Sequence, residues 1–124
     1  MVGDSERKGA EVTVKPLNRY EATEQEVQAT IIEYLELRGI VHSVTDRSRH
    51  WDAQGRVRAS RVSMPGYPDI SCVIAGKAVY IEVKSTRGRL SHAQIACHAR
   101  LREAGAVVVV ARSLEDVQAT IAFS

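Results

Sequence analysis

Two cysteines, Cys72 and Cys97, are too few for a disulfide framework and have no zinc-ligand spacing. They are read as reduced thiols of a cytoplasmic chain, with Cys72 in the core. Long apolar runs are missing too: none approaches the ~20 residues that span a bilayer, and the N-terminus lacks the apolar stretch of a signal peptide. These absences argue against a membrane protein or a secreted disulfide scaffold and predict a soluble, intracellular one. A large excess of one charge is also absent, since the net charge is only +2. A nucleic-acid partner must therefore show itself locally rather than through the whole chain. No internal repeat or low-complexity segment occurs. The 124 residues, 44% of them hydrophobic, suffice for the core of one domain and leave no room for a second.

Residues 1–20 mix Gly, Ser, Asp, Glu, Lys and Arg and are read as an N-terminal tail; residues 21–124 make the domain. Thr23-Glu24-Gln25-Glu26 has the form of a capping box, in which Glu26 reaches back to the Thr23 amide. A helix starting there turns Val27, Ile31, Tyr34 and Leu35 inward and stops at Gly39. Capping accounts for Glu26. Glu24 instead lies in line with the inward stripe, where its plain role is a carboxylate favoured by the helix dipole.

Further on, residues 40–45 and the polar-apolar alternation of residues 56–63 read as strands, with residues 46–55 a polar loop between them. Ser91-His92-Ala93-Gln94 repeats the capping pattern for a helix ended by Gly105, and also turns Gln94 toward the sheet with Cys97 and Leu101. The consecutive valines within residues 106–111 have the character of a strand buried on both faces. Ser113-Leu114-Glu115-Asp116 opens a last helix with Val117 and Ile121 inward. The expected fold is α/β, a mixed β-sheet flanked by helices, in the order α-β-β-β-β-α-β-α.

Residues 66–84 organise the rest. Gly66-Tyr67-Pro68-Asp69 leads into an apolar run, and Gly76-Lys77 separates that run from a second one ending at Lys84; the pattern predicts an antiparallel hairpin. With the turn at Gly76-Lys77, Ile74 faces Val79, Cys72 faces Ile81 and Ile70 faces Val83. These side chains share an apolar face, because side chains alternate along a strand. The other face carries Asp69, Ser71, Val73, Tyr80, Glu82 and Lys84, with Asp69 across from Lys84 and roughly 7 Å or less from Glu82. Two converging carboxylates repel unless a cation lies between them, and oxygen-only ligands suit Mg²⁺ or Mn²⁺. The plain alternative is a surface ion pair on an exposed sheet face.

Two local basic clusters supply the missing nucleic-acid signal. Arg47, Arg49, Arg56, Arg58 and Arg61 lie close together with Trp51 among them, and Arg87 and Arg89 follow the hairpin. Arginine forks fit phosphates, and an aromatic ring can stack on an unpaired base. A solvated hairpin with Trp51 capping an edge of the core is the competing account.

Glu24 on a leading helix, Gly66-Tyr67-Pro68-Asp69, Glu82-Val83-Lys84 and Gly88-Arg89-Leu90-Ser91-His92-Ala93-Gln94 together resemble the VRR-NUC branch of the PD-(D/E)xK nuclease superfamily. The resemblance covers nearly the whole domain. It implies a restriction-endonuclease-like fold and metal-dependent phosphodiester hydrolysis. Asp69, Glu82 and the Val83 carbonyl would hold Mg²⁺, with Mn²⁺ as a substitute, and Lys84 would hold the attacking water. Glu24 would serve a second metal or its water, and Gln94 would orient Lys84 or the phosphate. Stand-alone members of this size resemble virus-encoded and bacterial endonucleases that act as homodimers on branched DNA, such as four-way (Holliday) junctions or flaps, in repair or recombination. Two other functions stay open: a DNA-binding module of the same fold that is inactive without a partner, and a small interaction protein whose Asp69, Glu82 and Lys84 are a surface ion pair.

Overall fold

The computed structural model describes residues 21–45, 49–51, 53–59 and 64–122; the proposed tail, residues 1–20, lies outside them. Helix α1 (Glu24–Leu37) begins where the capping box predicts. The Thr23 hydroxyl accepts from the Glu26 amide at 3.1 Å, and the Glu26 carboxylate accepts from the Thr23 amide at 2.9 Å. Strand β1 (His42–Val44) follows, then β2 (Arg49–Trp51), β3 (Val57–Ala59), β4 (Ile70–Ile74), β5 (Lys77–Val83), helix α2 (His92–Glu103), β6 (Val107–Ala111) and helix α3 (Leu114–Ala122). The order is thus α-β-β-β-β-β-α-β-α, one strand more than expected. The extra element is β2, which pairs antiparallel with β3 in a small sheet of its own. A three-residue polar strand carries no alternation for sequence reading to detect.

The main sheet has the order β1-β4-β5-β6. Its first three strands are antiparallel, and β6 runs parallel to β5 through the α2 crossover, so the sheet is mixed. One face, Ile70 and Cys72 of β4, Val79, Ile81 and Val83 of β5, and Val109 and Ala111 of β6, packs against Val27, Ile31 and Leu35 of α1 and Val117 of α3. Each large side chain sealed there contributes on the order of 1.5–3 kcal/mol. The opposite face is covered by α2 over the C-terminal half of β5 and over β6, where Cys97 and His98 are buried. Toward β4 it opens, leaving Val73 exposed. Both cysteines are free, and burial pushes the Cys72 thiol up to about 11, so it stays an inert core thiol. Among the described residues no helix is long and apolar enough to cross a membrane.

The hairpin register differs from the expected one. Ile74 pairs with Lys77, Cys72 with Val79 and Ile70 with Ile81, so the turn is Ala75-Gly76 rather than Gly76-Lys77. Both turn residues have positive φ, 53° at Ala75 and 80° at Gly76. That is the requirement of a two-residue type I′ turn, which fits the right-handed strand twist. The slip is two residues, equal to the side-chain period, so every residue keeps its expected face while its partner changes. Asp69 therefore comes to lie across from Glu82 instead of Lys84.

Ala75 holds a left-handed conformation that disfavours a Cβ by roughly 1–2 kcal/mol. Ala75→Asn creates the Asn-Gly pair preferred in this turn and is expected to stabilise the fold by about 0.5–1 kcal/mol. Thermal melting checks it, and an unchanged or lowered Tm would contradict the turn assignment.

Candidate functional site

The loop that precedes β4 is pinned before it delivers its carboxylate. The Thr45 hydroxyl donates to the Pro68 carbonyl at 2.5 Å and the Thr45 amide donates to the Asp69 carbonyl at 2.8 Å. Pro68 is buried, and Tyr67 meets Tyr80 of β5 edge to face, ring centroids 5.6 Å apart. A hydrogen bond between these two hydroxyls, with burial behind it, holds the Tyr67 phenol at about 12. Gly66 is the third anchor. It has φ +79°, and a Cβ there would sit 2.1 Å from the Ala93 carbonyl oxygen, inside the first turn of α2. The glycine of Gly-Tyr-Pro-Asp thus lets the loop lie directly on the helix that carries Gln94.

Asp69 is half-buried at the entrance to β4, and its Oδ2 accepts from the Val83 amide at 2.7 Å. The bond ties the two hairpin strands at the end away from the turn. The bond engages the Val83 amide, not the carbonyl expected to bind a metal.

Glu82 departs most from expectation. Alternation places it on the polar face, and that face is roofed by α2, leaving Glu82 only 1% exposed. Its Oε2 accepts from Gln94 Nε2 at 3.1 Å, and its Oε1 lies 3.2 Å from His98 Nε2. Gln94 serves two ends at once, since its Oε1 accepts from the Ser91 amide at 2.8 Å in the capping box. Gln94, expected to orient Lys84 or the phosphate, here donates to Glu82. Burying a carboxylate without partners costs several kcal/mol, which these two contacts offset.

Lys84 follows β5, half-buried, its amide donating to the Ala111 carbonyl at 2.9 Å. Among the described residues no ion pair occupies its ammonium. It is close enough to His98 to help hold that imidazole below its ordinary value, although burial and then Arg102 do more. Asp69 pulls the other way, and the balance favours the neutral imidazole. A neutral ring facing a carboxylate carries its proton on the facing nitrogen, so Nε2 donates to Glu82.

Glu24 does not join this group. It is exposed at the first residue of α1, where it lines an open hollow of about 390 Å³ with Gln25, Gln28, Ala29 and Ile32. The inward stripe starts at Val27, and the first turn ahead of it faces solvent. Among the described residues no three His, Cys, Asp or Glu side chains are close enough to hold one ion. A cation here would therefore take Asp69 and Glu82 together with main-chain and water oxygens. The donor set fits such an ion: it is all oxygen, and a carboxylate oxygen accepts more than one partner.

Of the basic residues, Arg87 and Arg89 are exposed on the loop after Lys84, and Arg87 lies 3.3 Å from Glu21. Arg112, which the sequence did not single out, shapes that loop: its Nη1 donates to the carbonyls of Ser85 at 2.8 Å and Gly88 at 2.7 Å. Arg56 is exposed and donates to Gln54 at 3.1 Å. Arg47 and Arg61 lie outside the described residues, as do the side chains of Arg49, Trp51 and Arg58. His98 was missed as well. It lies four residues after Gln94, one turn along the same helix face, and that spacing was the only signal available.

A family model described as the VRR-NUC domain matches residues 15–115. No curated protein and no solved structure matches the chain.

Proposed function

The chain belongs to the VRR-NUC domain family, matched over residues 15–115, and on that premise we propose that it is a Mg²⁺-dependent DNA endonuclease selective for branched DNA. Membership itself implies a nuclease-type function in DNA processing. The metal, with Mn²⁺ as a substitute, the preference for four-way junctions or flaps, a homodimer and a role in repair or recombination are the finer reading. The observation that carries it is the hairpin register, which continued one pair beyond Ile70–Ile81 sets Asp69 opposite Glu82, with the Asp69 carboxylate on the Val83 amide and Lys84 next along the chain. The mixed sheet between helices is compatible with the restriction-endonuclease-like core of PD-(D/E)xK enzymes.

Asp69, Glu82 and the Val83 carbonyl would hold the ion. When bound, Mg²⁺ supplies Lewis acidity and lowers the pKa of water. The remaining work falls to the chain's own groups. The Lys84 ammonium orients the attacking water and offsets negative charge that grows on the phosphate as the new P–O bond forms and the ester P–O bond breaks. Gln94 keeps Glu82 in place. Glu24, exposed and apart, would act only through water or a second ion. Arg47, Arg49, Arg56, Arg58, Arg61, Arg87 and Arg89 would contact phosphates, and Trp51 a base. Two cuts at one junction need two active sites, which a C₂ pair supplies most simply.

A second reading has one observation in its favour. Glu82 is almost wholly buried and already engaged on both oxygens, as in a DNA-binding module that waits for a partner. A labelled panel of single strand, duplex, flap, splayed arm and four-way junction separates the two. Cutting of one branched form at least about tenfold faster than duplex is expected, a difference of roughly 1.4 kcal/mol in barrier. Equal rates on all forms would remove the selectivity. Binding without cutting in both Mg²⁺ and Mn²⁺ would favour the module, and a monomer in sedimentation with and without DNA would remove the dimer.

A further inference from the structure

We propose that His98 is a positioning residue for the metal site, one that fixes the rotation of the Glu82 carboxylate. The inference rests on the reading of Glu82 as a metal ligand. A planar carboxylate held at one oxygen can still pivot about that bond. Gln94 holds Oε2 at 3.1 Å and His98 meets Oε1 at 3.2 Å, so the pair fixes the plane as well as the position. The two residues are one helical turn apart on α2, which makes a rigid two-point clamp from a single element.

The rest of the His98 environment gives it no other polar task. It is 1% exposed, and its Nδ1 is a buried polar atom without a hydrogen-bond partner among the described residues. An unsatisfied buried nitrogen is destabilising, a penalty that a leucine filling the same space would not carry. Packing alone therefore does not account for an imidazole here. The Nε2 contact with Glu82 does. Gln94, by contrast, has its capping box as a structural reason to exist.

The test is Mn²⁺ binding to the full chain, read from the signal of free Mn²⁺ by electron paramagnetic resonance, with thermal melting alongside. His98→Gln puts an amide nitrogen near the place of Nε2, whereas His98→Asn puts it near Nδ1. His98→Leu removes both. Mn²⁺ affinity is expected to fall about 10–100-fold in His98→Leu and His98→Asn and to stay within about threefold of the parent in His98→Gln. The Tm of His98→Leu is expected to fall, because the buried Glu82 carboxylate loses one of its two partners. If His98→Leu does not fold, the Asn and Gln variants decide between themselves. Equal affinity in all variants, or equal loss in Asn and Gln, overturns the proposal. A parent protein that binds no Mn²⁺ overturns the metal reading beneath it, and the two failures are distinguishable.

Discussion

Lys84→Ala is expected to slow single-turnover DNA cleavage by at least about 10³-fold, a loss of roughly 4 kcal/mol of transition-state stabilisation, while DNA binding and Tm stay near the parent values. The fold is spared because Lys84 enters it through its amide, which donates to Ala111 and survives the substitution. Its neighbours do not behave so cleanly. Asp69→Ala removes the acceptor of the Val83 amide, at an added cost of about 1–3 kcal/mol in stability. Glu82→Ala leaves Gln94 and His98 facing an empty space with buried donors. Asp69→Asn and Glu82→Gln retain an oxygen acceptor and remove the charge, so they isolate chemistry from folding. Cleavage rates with binding titrations and melts on each variant check the series.

Gly66→Ala is expected to damage fold and activity together, by at least about 3 kcal/mol, although no atom of residue 66 takes part in the reaction. The left-handed backbone at φ +79° opposes any Cβ. The larger effect is steric, since the three nearest atoms to an added Cβ are main-chain atoms of Ala93 and Gln94 at 2.1 to 2.6 Å. Backbone in the first turn of a helix does not yield as a side chain does. The loop must lift from α2, and Asp69 moves with it relative to Gln94 and Glu82. The measured result should be a Tm drop of several degrees or more with cleavage near background. Parent-like melting and cutting would contradict the docking of this loop on α2.

The sequence made the local structure legible because local rules govern it. Both capping boxes form where Thr23-Glu26 and Ser91-Gln94 predict. Alternation assigned every hairpin residue to its correct face. It did not assign partners, because Ala75 occupies a left-handed turn position that propensity reserves for Asn, Asp or Gly, and the turn moved by one residue. What packing decides was out of reach. Glu82 looked like a carboxylate on an open face, and only the α2 crossover buries it. His98 looked like one polar residue among many in a helix with little apolar patterning. Glu24 shows the converse: it lies on the line of the buried stripe, yet the first turn of α1 projects ahead of the part that packs.

The most direct test of metal-dependent hydrolysis through Asp69, Glu82 and Lys84 is cleavage of labelled branched DNA by the parent chain, Asp69→Asn and Lys84→Ala. Each is assayed in Mg²⁺ and in chelator, with binding measured in parallel. The parent should cut in Mg²⁺ only, and both variants should bind the DNA and leave it intact. Undiminished cutting by the parent in chelator, or cutting by Lys84→Ala at the parent rate, would contradict it.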